Sequence, residues 1–237
     1  MSDCDSLDQI EVLSFKFIED GYHDRQTNVL RVVSKCSNLH ILYLQGNLLN
    51  VRDLLNLQSF ENLKKIDLSS NQLESLPAAN VFAGMHSLQF LYLHSNAISK
   101  WQDLQSLVSL PEIMHITLFG NPVCQIPGYR HFIVNSIPCL KALDNYVITD
   151  EERIEDASFG NRFRGLNEYM KWHITDYSDE PSAEQHKFNL EVDIYRLKRC
   201  FERNSPSILI QSLFRGYKSR NFFKFYFKQR TQNALFI

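Results

Sequence analysis

Long hydrophobic runs are missing from this sequence. Nowhere in its 237 residues do 18 apolar positions follow one another, so no helix can span a bilayer. Glycine and proline are scarce, eight and seven, which excludes collagen-like and low-complexity chains. A basic, apolar leader is missing as well. The opening stretch, MSDCDSLDQIEVLSFKFIED, is acidic and holds no apolar block, so no secretory signal is expected. The five cysteines (Cys4, Cys36, Cys124, Cys139 and Cys200) are odd in number and form no CxxC pair. Free thiols in a reducing compartment are expected, rather than a disulfide framework or a zinc site, and the expected location is cytoplasmic. Catalytic signatures are absent too: no GxSxG, no phosphate-cradling glycine loop, no HExxH. His86 and His94 lie eight apart across a turn and a strand, which is not metal-ligand spacing, and neither Cys36 nor Cys139 has an adjacent base. No enzyme, cofactor, metal or small-molecule substrate is expected.

What the chain does have is enough apolar material to fold. Hydrophobic residues make up 44%, so disorder throughout is excluded, and the length suits one large domain or a domain with an appendage. The net charge of −2 hides an asymmetry. Residues 1–195 carry −11, whereas residues 196–237 set ten basic side chains against Glu202 alone, giving +9. A basic tail of this kind meets something acidic: nucleic acid, anionic lipid or an acidic protein.

A repeat occupies the first half. Leu39-x-x-Leu42-x-Leu44-x-x-Asn47-x-Leu49 recurs as Leu63, Ile66, Leu68, Asn71 and Leu73, then as Leu88, Leu91, Leu93, Asn96 and Ile98. It recurs once more as Ile113, Ile116, Leu118, Asn121 and Val123, at offsets of 24, 25 and 25 residues. Each copy holds a short alternating stretch that predicts one strand with one buried face, and a single such unit cannot cover that face alone. The chain therefore resembles the leucine-rich repeat family. The resemblance implies an α/β solenoid of short parallel strands on a concave face, with Asn47, Asn71, Asn96 and Asn121 as a structural ladder bonded to backbone groups at the turns.

The expected organisation follows. Residues 1–38 are an N-terminal cap or degenerate repeat, built around Ile10-x-x-Leu13-x-Phe15, and residues 39–125 are the four repeats. Residues 126–157 resemble the C-terminal cap of cytosolic leucine-rich proteins, such as the spliceosomal A-prime protein and the leucine-rich regulator of a Ser/Thr phosphatase. That likeness rests on Gly120-Asn121-Pro122-Val123, Tyr129-Arg130, Phe132-Ile133, Pro138-Cys139-Leu140, Leu143-Asp144 and Glu151-Glu152. Thr149-Asp-Glu-Glu152 reads as a capping box, and Cys139 as a core thiol.

The residues between the strand leucines point out onto the concave sheet in three rows. They are Ile41, Lys65, Phe90, His115; Tyr43, Asp67, Tyr92, Thr117; and Gln45, Ser69, His94, Phe119. Aromatics on a rigid sheet anchor interfaces, so Tyr43, Phe90, Tyr92 and Phe119 are the candidate protein-binding patch. The competing reading is that the N-terminal cap or the segment after residue 158 folds back and covers them.

Residues 158–204 read as a helical linker. Phe159, Phe163, Leu166 and Met170 follow helical spacing, and Ser182-Ala-Glu-Gln185 is a second capping box leading into a helix with Leu190, Ile194, Leu197 and Phe201 on one face. Ser205-Pro206 restarts the pattern over 205–230, and residues 231–237 are a tail. Within that last helix, Ile210-Gln211-Ser-Leu-Phe214-Arg215-Gly216-Tyr217-Lys-Ser-Arg220, with Phe223 three residues on, matches the IQ motif. Ile210, Phe214 and Tyr217 lie at i, i+4 and i+7 on one apolar face. Gln211 suits backbone groups at a groove edge, Arg215 and Arg220 suit carboxylates, and Gly216 permits close approach. The resemblance implies calmodulin or a calmodulin-like EF-hand protein as partner.

Taken together, the chain is similar to the leucine-rich repeat and IQ motif-containing proteins. Those are expected to be longer, so this chain, ending Ala234-Leu-Phe-Ile237, is expected to be a splice form or a truncated product. The expected function is a non-enzymatic adaptor: the arc holds an unidentified protein on its concave face and the tail binds calmodulin. Axonemal relatives imply a cilium or flagellum. Three rival readings stand beside it. One is a membrane-surface scaffold that uses Phe222, Phe223, Phe225, Tyr226 and Phe227 among the basic groups. Another is a ribonucleoprotein component, disfavoured because no RNA-binding signature surrounds those aromatics. The third is a phosphatase-type regulatory subunit.

Overall fold

Among the described residues, seven strands, none longer than three residues, lie side by side in chain order in one sheet. They are β1 (Val12–Ser14), β2 (Ile41–Tyr43), β3 (Lys65–Asp67), β4 (Phe90–Tyr92), β5 (His115–Thr117), β6 (Ala142–Leu143) and β7 (Tyr146–Val147). This computed structural model describes residues 9–15, 33, 35–149, 152–153 and 182–204. The expectations placed on the rest of the linker, on the helix over 205–230 and on the tail over 231–237 lie outside the described residues.

Pairing is parallel from β1 to β6, and β6 turns back antiparallel on β7. The register carries the repeat into space. Leu42, Ile66, Leu91, Ile116 and Leu143 are successive partners, so the middle residue of every strand falls on one line facing the core. Leu13 extends that line by pairing with Leu42, and Ile10, Leu13 and Phe15 pack against the core as a further coil ahead of the four repeats.

Short return segments close each coil. They are a 3-10 helix at Asp53–Ser59, a helix at Ala79–Ala83 (α1) and a helix at Trp101–Leu104 (α2) that runs into 3-10 geometry at Gln105–Ser109. Leu54, Leu57, Val81, Phe82, Leu104 and Leu107 from these segments join the strand leucines in one buried cluster. Neither wall of the coil could bury its apolar side without the other, which is why the structure forms as a stack.

The asparagines tie the turns together. Asn71 Oδ1 accepts from the amides of Asn47 (2.9 Å) and Leu49 (3.0 Å) one coil back, and its Nδ2 donates to the carbonyls of Leu44 (2.9 Å) and Leu68 (3.0 Å). Asn96 and Asn121 repeat this on Leu73 and Ile98, while Asn47 donates to the carbonyl of Phe15. The residue before each asparagine is left-handed: Gly46, Ser70, Ser95 and Gly120 have φ of 68°, 54°, 57° and 74°. That turn aims the backbone amides of Gly46, Ser70 and Ser95 at carbonyls of the next coil.

At the C-terminal end, helix α3 (Tyr129–Ser136) covers the last coil with Ile133 and Val134. Asp144 follows Leu143 at the register position of Asp67, Tyr92 and Thr117, and its Oδ1 accepts from Leu118 (2.7 Å) and Phe119 (2.9 Å); in earlier coils the amide equivalent to that of Leu118 goes to a backbone carbonyl. Arg130 is buried beneath the β6–β7 hairpin and grips Glu152 with two bonds, Nε to Oε1 at 2.7 Å and Nη2 to Oε2 at 2.9 Å. Glu152 also accepts from the Thr149 amide, while its own amide donates to Thr149 Oγ1, so both halves of the capping box form. Cys139 is half-buried against the core rather than within it.

The last described element is a 22-residue helix, α4, at Ala183–Asn204. Only half of its capping box forms. The Gln185 amide donates to Ser182 Oγ at 3.3 Å, but the Gln185 side chain turns along the helix to Asn189 instead of reaching back.

Candidate functional site

Each three-residue strand turns its first and third side chains away from the leucine core, because successive residues of a strand face opposite ways. Strand register therefore assembles one row from Val12, Ile41, Lys65, Phe90, His115 and Ala142, and a second from Tyr43, Asp67, Tyr92 and Thr117. These rows are the floor of the arc. The structure shows α4 lying on that floor. Leu190, Ile194 and Leu197, at i, i+4 and i+7, form a second apolar cluster with Ile41, Phe90, Tyr92, Met114, Ala142 and Val147, edged by Val12 and Tyr43.

The four aromatic candidates divide accordingly. Phe90 (0% exposed) and Tyr92 (3%) are buried beneath the helix. Tyr43 sits at its edge, its hydroxyl 2.9 Å from His186 Nδ1. Phe119 is half-buried away from the helix and stacks on the His94 ring, centroids 4.4 Å apart at 14°. Of the two arrangements open in the sequence, the structure shows the one in which the segment after residue 158 folds back. The calmodulin set, Ile210, Gln211, Phe214, Arg215, Gly216, Tyr217, Arg220 and Phe223, lies outside the described residues.

Charge is built into this floor. Lys65 is buried, its ammonium 5.2 Å from the Tyr43 ring centroid and 4.9 Å from that of Tyr92. Burial pushes the Lys65 ammonium below the usual lysine range, opposed by the carboxylates of Asp67 from its own strand and Asp193 from α4. Asp67 in turn accepts from Ser69 N (2.9 Å) and Ser69 Oγ (2.6 Å). Asp193 is shifted upward by desolvation, with Lys65 and Arg196 acting the other way. An ion pair, Lys187 with Glu11, joins α4 to the N-terminal coil. His115 is wholly enclosed, its Nε2 2.9 Å from the Asp144 carbonyl, and burial holds it down to about 4.

Chemically, this surface offers apolar contact, aromatic faces and one enclosed cation, which is the equipment of recognition. Among the described residues no three His, Cys, Asp or Glu side chains are placed to hold a metal ion, and no helix is long and apolar enough to cross a membrane. The sequence places Lys65, Asp67 and His115 on the concave face but does not mark them as enclosed, since a polar residue on a sheet surface reads as solvent-facing. Asp193 and His186 carry no signal of their own. A signal was present only in Leu190, Ile194 and Leu197, whose spacing requires a cover without saying which surface supplies it.

Comparison with known proteins agrees with this architecture. A family model described as leucine-rich repeat matches residues 47–169. Leucine-rich repeat and IQ domain-containing protein 3 of Mus musculus is 35% identical over 224 residues, covering 91% of this chain and 34% of that protein. The Homo sapiens protein of the same name is 31% identical over 232 residues, 94% of this chain and 35% of its own length. The chain thus spans about a third of the length of these curated relatives. Leucine-rich repeat-containing protein 51 of Rattus norvegicus is 34% identical over 150 residues, 59% of this chain and 77% of that one. Among solved structures, the SNF/U2A' complex of Drosophila melanogaster contains a chain with a TM-score of 0.46 and 20% identity, covering 65% of this chain and 83% of that one.

Proposed function

The chain belongs to the leucine-rich repeat family, a family of protein-interaction modules, and on that premise we propose that it is a non-enzymatic adaptor whose arc engages a protein and whose segment 205–230 binds calmodulin or a calmodulin-like EF-hand protein. The single observation that carries the calmodulin arm is the run Ile210-Gln211-x-x-x-Arg215-Gly216-x-x-x-Arg220-x-x-Phe223, six specified positions in order. Relatives similar over nine-tenths of this chain carry an IQ domain in their names. The roles follow from the residues: an apolar stripe for a hydrophobic groove, arginines for the acidic rim of an EF-hand protein. The proposed setting is the cytoplasm, with a cilium or flagellum as the specific site.

Calorimetric titration of the full chain with calmodulin, once with calcium and once with chelator, tests this. Micromolar or tighter binding is expected, weakened at least tenfold in the Ile210→Ala/Arg215→Ala chain. Absence of binding in both conditions removes the calmodulin arm.

A second reading is favoured by the +9 charge of residues 196–237: an anionic surface, nucleic acid or lipid, as the tail's target. Such binding falls steeply with salt, whereas burial of an apolar stripe persists.

A further inference from the structure

The leucine core and the concave cluster are separate. Among the described side chains of α4, none belongs to the buried core that runs through the coils; Leu190, Ile194 and Leu197 join the second cluster on the sheet's outer face. The solenoid's own core is complete without the helix. The helix meets the sheet through this one apolar stripe, while its other side leaves Phe188 61% and Tyr195 54% exposed.

The floor, moreover, reads charge. A lysine enclosed between two tyrosine rings stabilises a fold less than an apolar residue of similar size would, because desolvation outweighs the attraction it regains. What an enclosed cation does supply is selectivity, since Asp67 offsets it in part and an occupant that sets a second cation against it meets like charge away from water. From the helix, Asp193, one residue before Ile194 and three after Leu190, adds a carboxylate whose charge acts on Lys65 beside that of Asp67.

We propose that the concave sheet is a groove for an amphipathic helix carrying an acidic residue among its apolar anchors, and that α4 is its resident occupant, which a partner helix of the same chemistry displaces. The inference rests on the adaptor reading and names the partner class of its arc. Lys65 is the specificity-determining residue of this groove. The anchors of the partner are two leucine-sized side chains seven positions apart, matching Leu190 and Leu197, with an acid placed as Asp193 is.

The test uses full-length chains and a fluorescein-labelled peptide of residues 182–204. The unaltered chain, its groove filled, binds the peptide weakly. Leu197→Asp, which expels the resident helix, is expected to bind it at least tenfold more tightly. A peptide carrying Asp193→Lys is expected to bind that opened chain at least tenfold less well, and adding Lys65→Glu to the opened chain is expected to reverse the preference. Should Leu197→Asp lose its cooperative unfolding transition, Leu190→Ala/Ile194→Ala opens the groove without a buried charge. A folded, opened chain that takes up neither peptide overturns the groove. Equal uptake of both overturns the role of Lys65. Calmodulin titrated onto the same opened chain separates the two readings: calmodulin bound without peptide overturns this inference alone, and peptide bound without calmodulin overturns the tail's assignment alone.

Discussion

The Tyr43 hydroxyl lies 2.9 Å from Nδ1 of His186, a contact across 143 positions of sequence, and their rings lean together at 46° with centroids 4.9 Å apart. This pair pins the first turns of α4 to the edge of β2. Tyr43→Phe keeps the ring and removes the bond, a loss of about 1 kcal/mol. Amide exchange in Leu190–Leu197 is expected to quicken about fivefold, with exchange in β3 to β5 unchanged. Equal acceleration in both places would mean that the pair supports the solenoid rather than the docked helix.

His115 makes the fold sensitive to acid. Enclosed at the floor, it titrates at about 4, with Lys65 and His94 also disfavouring its charged form and the Asp144 carbonyl bond opposing them. The unfolded chain takes up the same proton near the ordinary histidine value of about 6.5. Stability from this residue is therefore complete above pH 6.5 and is lost as pH falls toward 4, by up to about 3 kcal/mol. His115→Gln is expected to flatten that part of the profile when denaturation midpoints are compared between pH 7.5 and pH 4.5. An unchanged slope in the variant would place the acid sensitivity elsewhere.

Two glycines at equivalent places in the repeat separate strain from crowding. Gly46 and Gly120 are both left-handed, but a Cβ on Gly46 meets nothing within 4 Å, whereas one on Gly120 meets Ser95 N and Oγ at 3.2 Å. Gly46→Ala is expected to cost about 1 kcal/mol, the left-handed penalty alone. Gly120→Ala should cost clearly more, about 2–3 kcal/mol, because backbone must move as well. Urea midpoints with unchanged slopes measure the difference. Equal losses would show that the coil yields freely at Ser95.

In the C-terminal cap, the Arg130–Glu152 pair is buried on both sides, 8% and 8% of the side chains exposed. Arg130→Met strands the Glu152 carboxylate and is expected to cost about 3–5 kcal/mol. Arg130→Met/Glu152→Met is expected to recover much of that loss, a coupling that a double-mutant cycle reads directly. Strict additivity would mean that Arg130 acts through its bonds to the carbonyls of Leu143 and Val147 instead.

The repeat was legible because its signal is spacing. Leu42, Ile66, Leu91 and Ile116 recur at nearly constant intervals, and strand register follows once one coil must stack on the next. The Thr149–Glu152 box was legible for a similar reason, being a local pattern with local bonds. The Asp144 carboxylate taking up the Leu118 amide was not, since the hairpin that holds it breaks the repeat. Nor was the enclosure of Phe90 and Tyr92. Their burial depends on a helix more than sixty residues downstream, and the apolar face of that helix fits any apolar cover. Tyr43, Phe90, Tyr92 and Phe119 could be found as exposed-face aromatics; which of them the chain keeps for itself is a long-range fact.

The asparagine ladder also governs how this molecule can change in length. Each rung takes an amide from the preceding coil and donates to carbonyls of that coil and its own, as Asn71 does with Leu49, Leu44 and Leu68. A duplicated unit of 24 or 25 residues brings its own rung and slots into the series, lengthening the arc without disturbing the joints on either side. A single residue inserted between Leu42 and Asn47 would instead leave a rung facing the wrong carbonyl. Growth by whole copies is the inheritance this architecture tolerates; in-between lengths are filtered out at folding.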